Sequence, residues 1–140
     1  MAIKKYTTTS PSETELIGRE LFLSLPYPSF VALYGDLGAG KTAFVRGMVS
    51  AFFPDAIVCS PTYNIVNKYS FENKSLYHFD MYRVADDDDL YSVGFYDYLD
   101  NGIIVSEWSE NIPYAIPDDA IRVTISKCED ENIREITVEN

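Results

Sequence analysis

The chain has 140 residues, 46% of them hydrophobic and 24% charged, which suits one domain with a real core and leaves no room for two. Eleven Lys and Arg stand against 22 Asp and Glu, and a net charge of −11 disfavours direct grip on a nucleic-acid backbone. No apolar run approaches the roughly 18 residues of a membrane span. The start, MAIKKYTTTSPSETE, lacks the apolar segment of a secretory leader, and Cys59 and Cys128 make neither a disulfide framework nor a zinc site. The expected location is therefore cytoplasmic.

In chain order, Ser12-Glu13-Thr14-Glu15 is a capping-box pattern that predicts a helix to about Ser24, before Pro26 and Pro28 break the chain. Phe30-Val31-Ala32-Leu33-Tyr34 reads as a buried strand. After a glycine-rich loop from Gly35 to Gly40, Phe44, Val45, Met48, Val49 and Phe52 recur at helical spacing from Lys41 until Pro54. Ile57-Val58-Cys59 is a short strand candidate. Asn64 to Phe71 and Ser75 to Tyr82 form an expected hairpin around Glu72-Asn73-Lys74.

Asp86 to Val93 reads as a short helix whose Asp86–Asp89 run meets the positive end of the helix dipole. That reading is preferred to a metal site, because four adjacent side chains cannot converge on one ion. A further turn covers Tyr96 to Leu99. Ile103-Ile104-Val105 is a buried strand ending at Ser106-Glu107-Trp108, and Asn111 to Asp119 reads as loop. Ile121, Val123 and Ile125 alternate as a half-buried strand does, and Ile133 to Val138 pairs with them. The expected fold is α/β: a single P-loop NTPase-like domain over residues 1–140, with a mixed parallel/antiparallel sheet and flanking helices.

Gly35-Asp36-Leu37-Gly38-Ala39-Gly40-Lys41-Thr42 fits G-x-x-x-x-G-K-[ST] without a mismatch, and it lies between a predicted strand and a predicted helix. Such a loop curls its backbone N–H groups around phosphate oxygens. Lys41 is expected to reach the β- and γ-phosphates, and the Thr42 hydroxyl to ligand Mg²⁺. A second metal-facing carboxylate belongs at a strand end. Asp80 and Glu107 both qualify, and the uninterrupted apolar run before Glu107 favours it. One would ligand the ion while the other holds a coordinated water or Thr42. His78, the single histidine, either orients Asp80 two residues on or is a hydrogen-bonded core residue. Thr62, in Ser60-Pro61-Thr62-Tyr63, sits in either a switch-like loop that senses the γ-phosphate or a plain turn. Trp108 reads as core in preference to an adenine neighbour.

Taken together in this order, the P-loop, Phe44 with Arg46-Gly47, Ser60-Pro61-Thr62-Tyr63, Tyr77-His78-Phe79-Asp80-Met81-Tyr82-Arg83 and Glu107-Trp108 resemble the TsaE (YjeE) family. These are small bacterial P-loop ATPases of tRNA threonylcarbamoyladenosine (t6A) biosynthesis. The resemblance covers about Ser12 to Glu107 and, more weakly, the ends. It implies slow, Mg²⁺-dependent ATP hydrolysis that supports rounds of tRNA modification with TsaB and TsaD as partners. The transferase chemistry belongs to TsaD, and tRNA is met only through the complex. Carried over by position, Lys41 and the loop hold phosphates, Thr42 and Glu107 ligand Mg²⁺, Asp80 fills a second acidic position and Thr62 a switch-like loop. Nucleotide is also expected near Thr9 and Ser10. Departures are the uniformly acidic Asp86–Asp89, with Asp89 where glutamate is expected, and Ser109 where proline is common after the tryptophan. Two other readings of the P-loop are a docking module switched by nucleotide without turnover, and a small-molecule kinase. The five widely spaced arginines and the short chain disfavour the kinase.

Overall fold

The computed structural model describes residues 2–36, 38–61 and 64–140. Leu37, assigned to the phosphate loop, and Thr62, assigned to the switch-like turn, lie outside the described residues.

Four hydrophobic strands form the middle of the sheet. They are β2 (Ser29–Tyr34), β4 (Lys74–Asp80), β5 (Ile103–Glu107) and β6 (Ile121–Lys127). They run parallel in the order β6-β2-β5-β4. Three antiparallel strands complete the edges: β3 (Val66–Phe71) beside β4, then β7 (Arg134–Glu139) beside β6 and β1 (Ile3–Thr8) beside β7. The expected mixed α/β sheet is what the chain forms.

Alternation along the buried strands sends side chains to two cores. Val31, Leu33, Leu76, Ile103, Val105, Val123 and Ile125 face one, under α1 (Pro11–Ser24) and α2 (Lys41–Ser50). Phe30, Ala32, Tyr77, Phe79 and Ile104 face the other, which Leu90 of α3 (Asp87–Ser92) and Phe95 of α4 (Phe95–Tyr98) close. Phe95 stands edge-on to both Phe30 and Phe79, at 5.9 and 5.3 Å between ring centroids. Asp86 caps α3 by accepting from the Asp89 N–H, so the acidic run is a helix start as expected.

Helices α1 and α2 meet backbone to backbone. A Cβ on Gly47 would lie 1.9 Å from the Glu15 carbonyl oxygen, and one on Gly18 would lie 2.2 Å from that of Phe44. Two glycines thus permit the approach that fixes α2 and the loop before it.

Local corrections have physical causes. Helix α1 starts two residues earlier than expected: Ser10 is the cap, its Oγ accepts from the Glu13 N–H at 3.2 Å, and Pro11 takes the first turn. Ile57-Val58-Cys59 is not a strand. The Cys59 N–H donates to the Tyr69 hydroxyl at 3.4 Å and its carbonyl accepts from the Asn67 amide at 3.1 Å, so side chains take the place of a ladder, and Ile57 is exposed. The segment expected as loop contains a 3₁₀ turn at Pro113–Ala115, following another at Ser109–Asn111. Strand β1 is an addition to the expected elements. Among the described residues, no helix is long and apolar enough to cross a membrane.

Candidate functional site

The glycine-rich loop leaves the end of β2 and enters α2 at Lys41. Gly40 caps that helix at φ 110°, a left-handed conformation that suits glycine. The Lys41 side chain is 5% exposed. Its Nζ donates to the Gly35 carbonyl and stands 3.8 Å from the centre of the Trp108 ring. Burial pushes the Lys41 pKa down, while the charges of Glu110, Glu107, Asp80 and Asp36 oppose the shift. Trp108 is half-buried at φ 56°: it packs against the edge of the second core, as a core reading expects, and its ring also lies over the lysine.

Two carboxylates project from adjacent strand ends beside the loop. Asp80 and Glu107 are register partners across β4 and β5, and both are buried. Asp80 accepts from the Ser60 hydroxyl at 3.1 Å and from the Tyr82 N–H at 3.0 Å. Thr42 Oγ1 stands 3.4 and 3.5 Å from the two Glu107 oxygens, too long for a strong hydrogen bond and close enough for both residues to share one cation. Among the described residues, the other partner of Glu107 is His78, whose Nε2 meets Oε2. The histidine thus serves Glu107 and not Asp80, because the register sets His78 opposite Val105, one diagonal step from Glu107.

Gly38, Lys41, Thr42, Asp80, Glu107 and Trp108 line a cleft of about 440 Å³. On the far side of Gly38 and Gly40, a hollow of about 190 Å³ is lined by Ser10, Thr14, Asn132 and Arg134. Ser10 thus shares that hollow with the loop glycines. Thr9 lies one step away, with its N–H and hydroxyl both donating to Glu13.

Sequence reasoning gives no role to three residues that stand against the loop. Arg134 Nε donates to the Ala39 carbonyl at 2.9 Å, and Nη2 reaches that of Gly38 at 3.4 Å. Its register partner on β6, Lys127, fills the space that a Cβ on Gly38 would need. Glu110 accepts from the Gly35 N–H at 3.0 Å. None lies near the motif in sequence; only the β6–β7 pairing and the turn after β5 bring them there.

Strand, glycine-rich loop and helix, with acidic ends on the two neighbouring strands, make this a P-loop NTPase-like α/β domain. The chain belongs to the TsaE family, described as threonylcarbamoyl adenosine biosynthesis protein TsaE, whose family model matches residues 8–136. That family is involved in t6A formation in tRNA. Relatives include the tRNA threonylcarbamoyladenosine biosynthesis protein TsaE of Rickettsia conorii, 36% identical over 86% of this chain and 69% of that one. The protein of the same name from Haemophilus influenzae is 40% identical over 79% of this chain and 72% of its own. A crystal structure of YdiB from Bacillus subtilis matches with a TM-score of 0.80 at 29% identity, covering 98% of this chain and 84% of that one.

Proposed function

We propose that the protein is a Mg²⁺-dependent ATP-binding and ATP-hydrolysing component of t6A modification of tRNA. In this reading it acts with TsaB and TsaD and is not itself the transferase. The observation that carries it is the seat of the loop: Gly35–Thr42 between β2 and α2, with Thr42 facing Glu107 across a cleft. Among the described residues, no three His, Cys, Asp or Glu converge as a metal centre. A hydroxyl and a carboxylate that need phosphate oxygens to complete the coordination suit Mg²⁺ better than a self-sufficient protein cage.

Each residue then has a task. The loop N–H groups and Lys41 bind the β- and γ-phosphates, with the ammonium exchanging the Gly35 carbonyl for phosphate oxygen. Thr42 and Glu107 would hold the cation, which when bound would supply neutralisation of the charge on the phosphates. Asp80, fixed by Ser60 and the Tyr82 N–H, orients a water at the same site. Ser10 and the hollow beside it give the nucleoside end a wall. Thr62 remains the proposed γ-phosphate sensor. A chain of net charge −11 fits a role in which partner proteins, and not this chain, contact the tRNA.

The test is titration calorimetry with ATP and Mg²⁺, followed by phosphate release with and without TsaB and TsaD. Heat of binding, turnover raised by the partners, and loss of turnover in folded Lys41→Ala and Thr42→Ala support the reading. Full turnover in both variants, or no binding by the wild type, overturns it.

A further inference from the structure

His78 is fully buried, yet among the described residues its imidazole has one hydrogen-bond partner. Nε2 meets the Glu107 carboxylate, and Nδ1 has no hydrogen-bond partner among the described residues. A carboxylate only accepts, so Nε2 carries the proton of that bond. Burying a ring with an unpartnered nitrogen works against folding, and a leucine would suit the surrounding core better. The residue type therefore answers to Glu107. That glutamate is itself 4% exposed, and among the described residues its other partner is the loosely placed Thr42 hydroxyl.

We propose that His78 is a positioning residue that fixes the Glu107 carboxylate for the cation. With Oε2 held by the histidine, the carboxylate stays beside Thr42, whose Oγ1 stands 3.4 Å from Oε2 and 3.5 Å from Oε1. The ring is carried on β4, buried from Leu76 to Asp80, so the carboxylate is anchored to rigid sheet and not to a loop. Ligand-orienting partners of this kind govern metal affinity. The inference rests on the proposed Mg²⁺–ATP site.

The experiment uses His78→Gln and His78→Asn in the full chain. The glutamine amide falls where Nε2 lies and can still donate to Glu107; the asparagine amide falls at Nδ1 and cannot. Binding of the β,γ-imido analogue of ATP is followed by calorimetry, first in EDTA and then across a Mg²⁺ titration. Affinity in EDTA should be the same for all three proteins. The Mg²⁺ concentration that gives half of the affinity gain should rise about 10- to 100-fold in His78→Asn and stay within about threefold in His78→Gln. Equal behaviour of the two variants overturns the assignment. Should His78→Asn not fold, His78→Gln decides alone, and a tenfold loss in it is fatal. Wild-type protein that takes no analogue overturns the nucleotide reading itself, and this inference with it; wild-type binding with indifferent variants overturns this inference only.

Discussion

Arg134 tests whether the loop is held from outside its own motif. It sits on β7, 92 residues beyond Thr42, and it donates to two loop carbonyls. Those bonds fix the turn in which the Ala39 N–H donates to the Asp36 carbonyl at 3.0 Å. Hydrogen bonds from a charged donor contribute about 1.5–3 kcal/mol each. The guanidinium is half-buried and the Gly38 contact at 3.4 Å is weak, so the low end applies: about 1.5 kcal/mol from the Ala39 bond. As affinity, that is about tenfold. Arg134→Ala should therefore weaken Mg²⁺–ATP binding about tenfold in calorimetry and speed hydrogen exchange of the loop amides. Arg134→Lys should recover only part, because a single ammonium cannot span both carbonyls. Stability should also fall, since the same side chain holds the Glu131 and Ile133 carbonyls. Affinity within twofold of wild type together with unchanged loop exchange would show that the motif holds itself.

Gly47→Ala should destabilise the fold by about 2–3 kcal/mol in urea titrations, because overpacking on rigid backbone is costly and the new Cβ would lie 1.9 Å from the Glu15 carbonyl oxygen; an unchanged midpoint would mean that the helices slide apart freely. Glu13 has its pKa lowered from 4.5 by the Thr9 backbone and hydroxyl hydrogen bonds. A depressed carboxyl stabilises the fold above its unfolded pKa and loses that contribution as pH falls through the folded value. Wild type should thus exceed Glu13→Gln in thermal stability at neutral pH, with the gap closing once pH drops below about 4.5; a gap that widens in acid would contradict the assigned hydrogen bonds. The gain in ATP affinity on adding Mg²⁺ should shrink in about 0.5 M salt, where exposed charges are screened within a few ångströms. Salt-independent gain would remove the electrostatic case for the cation.

The elements that can be read from the chain are those that carry their own pattern. Strand β2 and helix α2 are apolar at the right periods and are joined by the glycine-rich loop, so the seat of that loop is legible in the amino-acid order itself. Strand β1 is not, because Ile3-Lys4-Lys5-Tyr6-Thr7-Thr8 has no buried face until Thr8; its order comes from pairing with β7. Ser12-x-x-Glu15 reads as the α1 cap, but the helix starts from Ser10, where Pro11 suits the first helical turn. Ile57-Val58-Cys59 looks like a strand by composition, yet side chains from β3 occupy its backbone groups.

Within the site the boundary lies between what one strand dictates and what two strands share. Sequence places His78 two residues before Asp80, and so suggests that pair. The β4–β5 register places it diagonal to Glu107, and the imidazole goes there. Lys127 and Arg134 likewise meet only because β6 and β7 are neighbours. The same geometry gives the acidity a local meaning. Asp36, Asp80, Glu107 and Glu110 all act on Lys41. A bare triphosphate would enter a field of its own sign, whereas one that arrives with a divalent cation brings the charge that Glu107 and Thr42 face. If the proposed Mg²⁺–ATP site holds, the excess of carboxylates around Lys41 would select the metal-bound nucleotide over the free one.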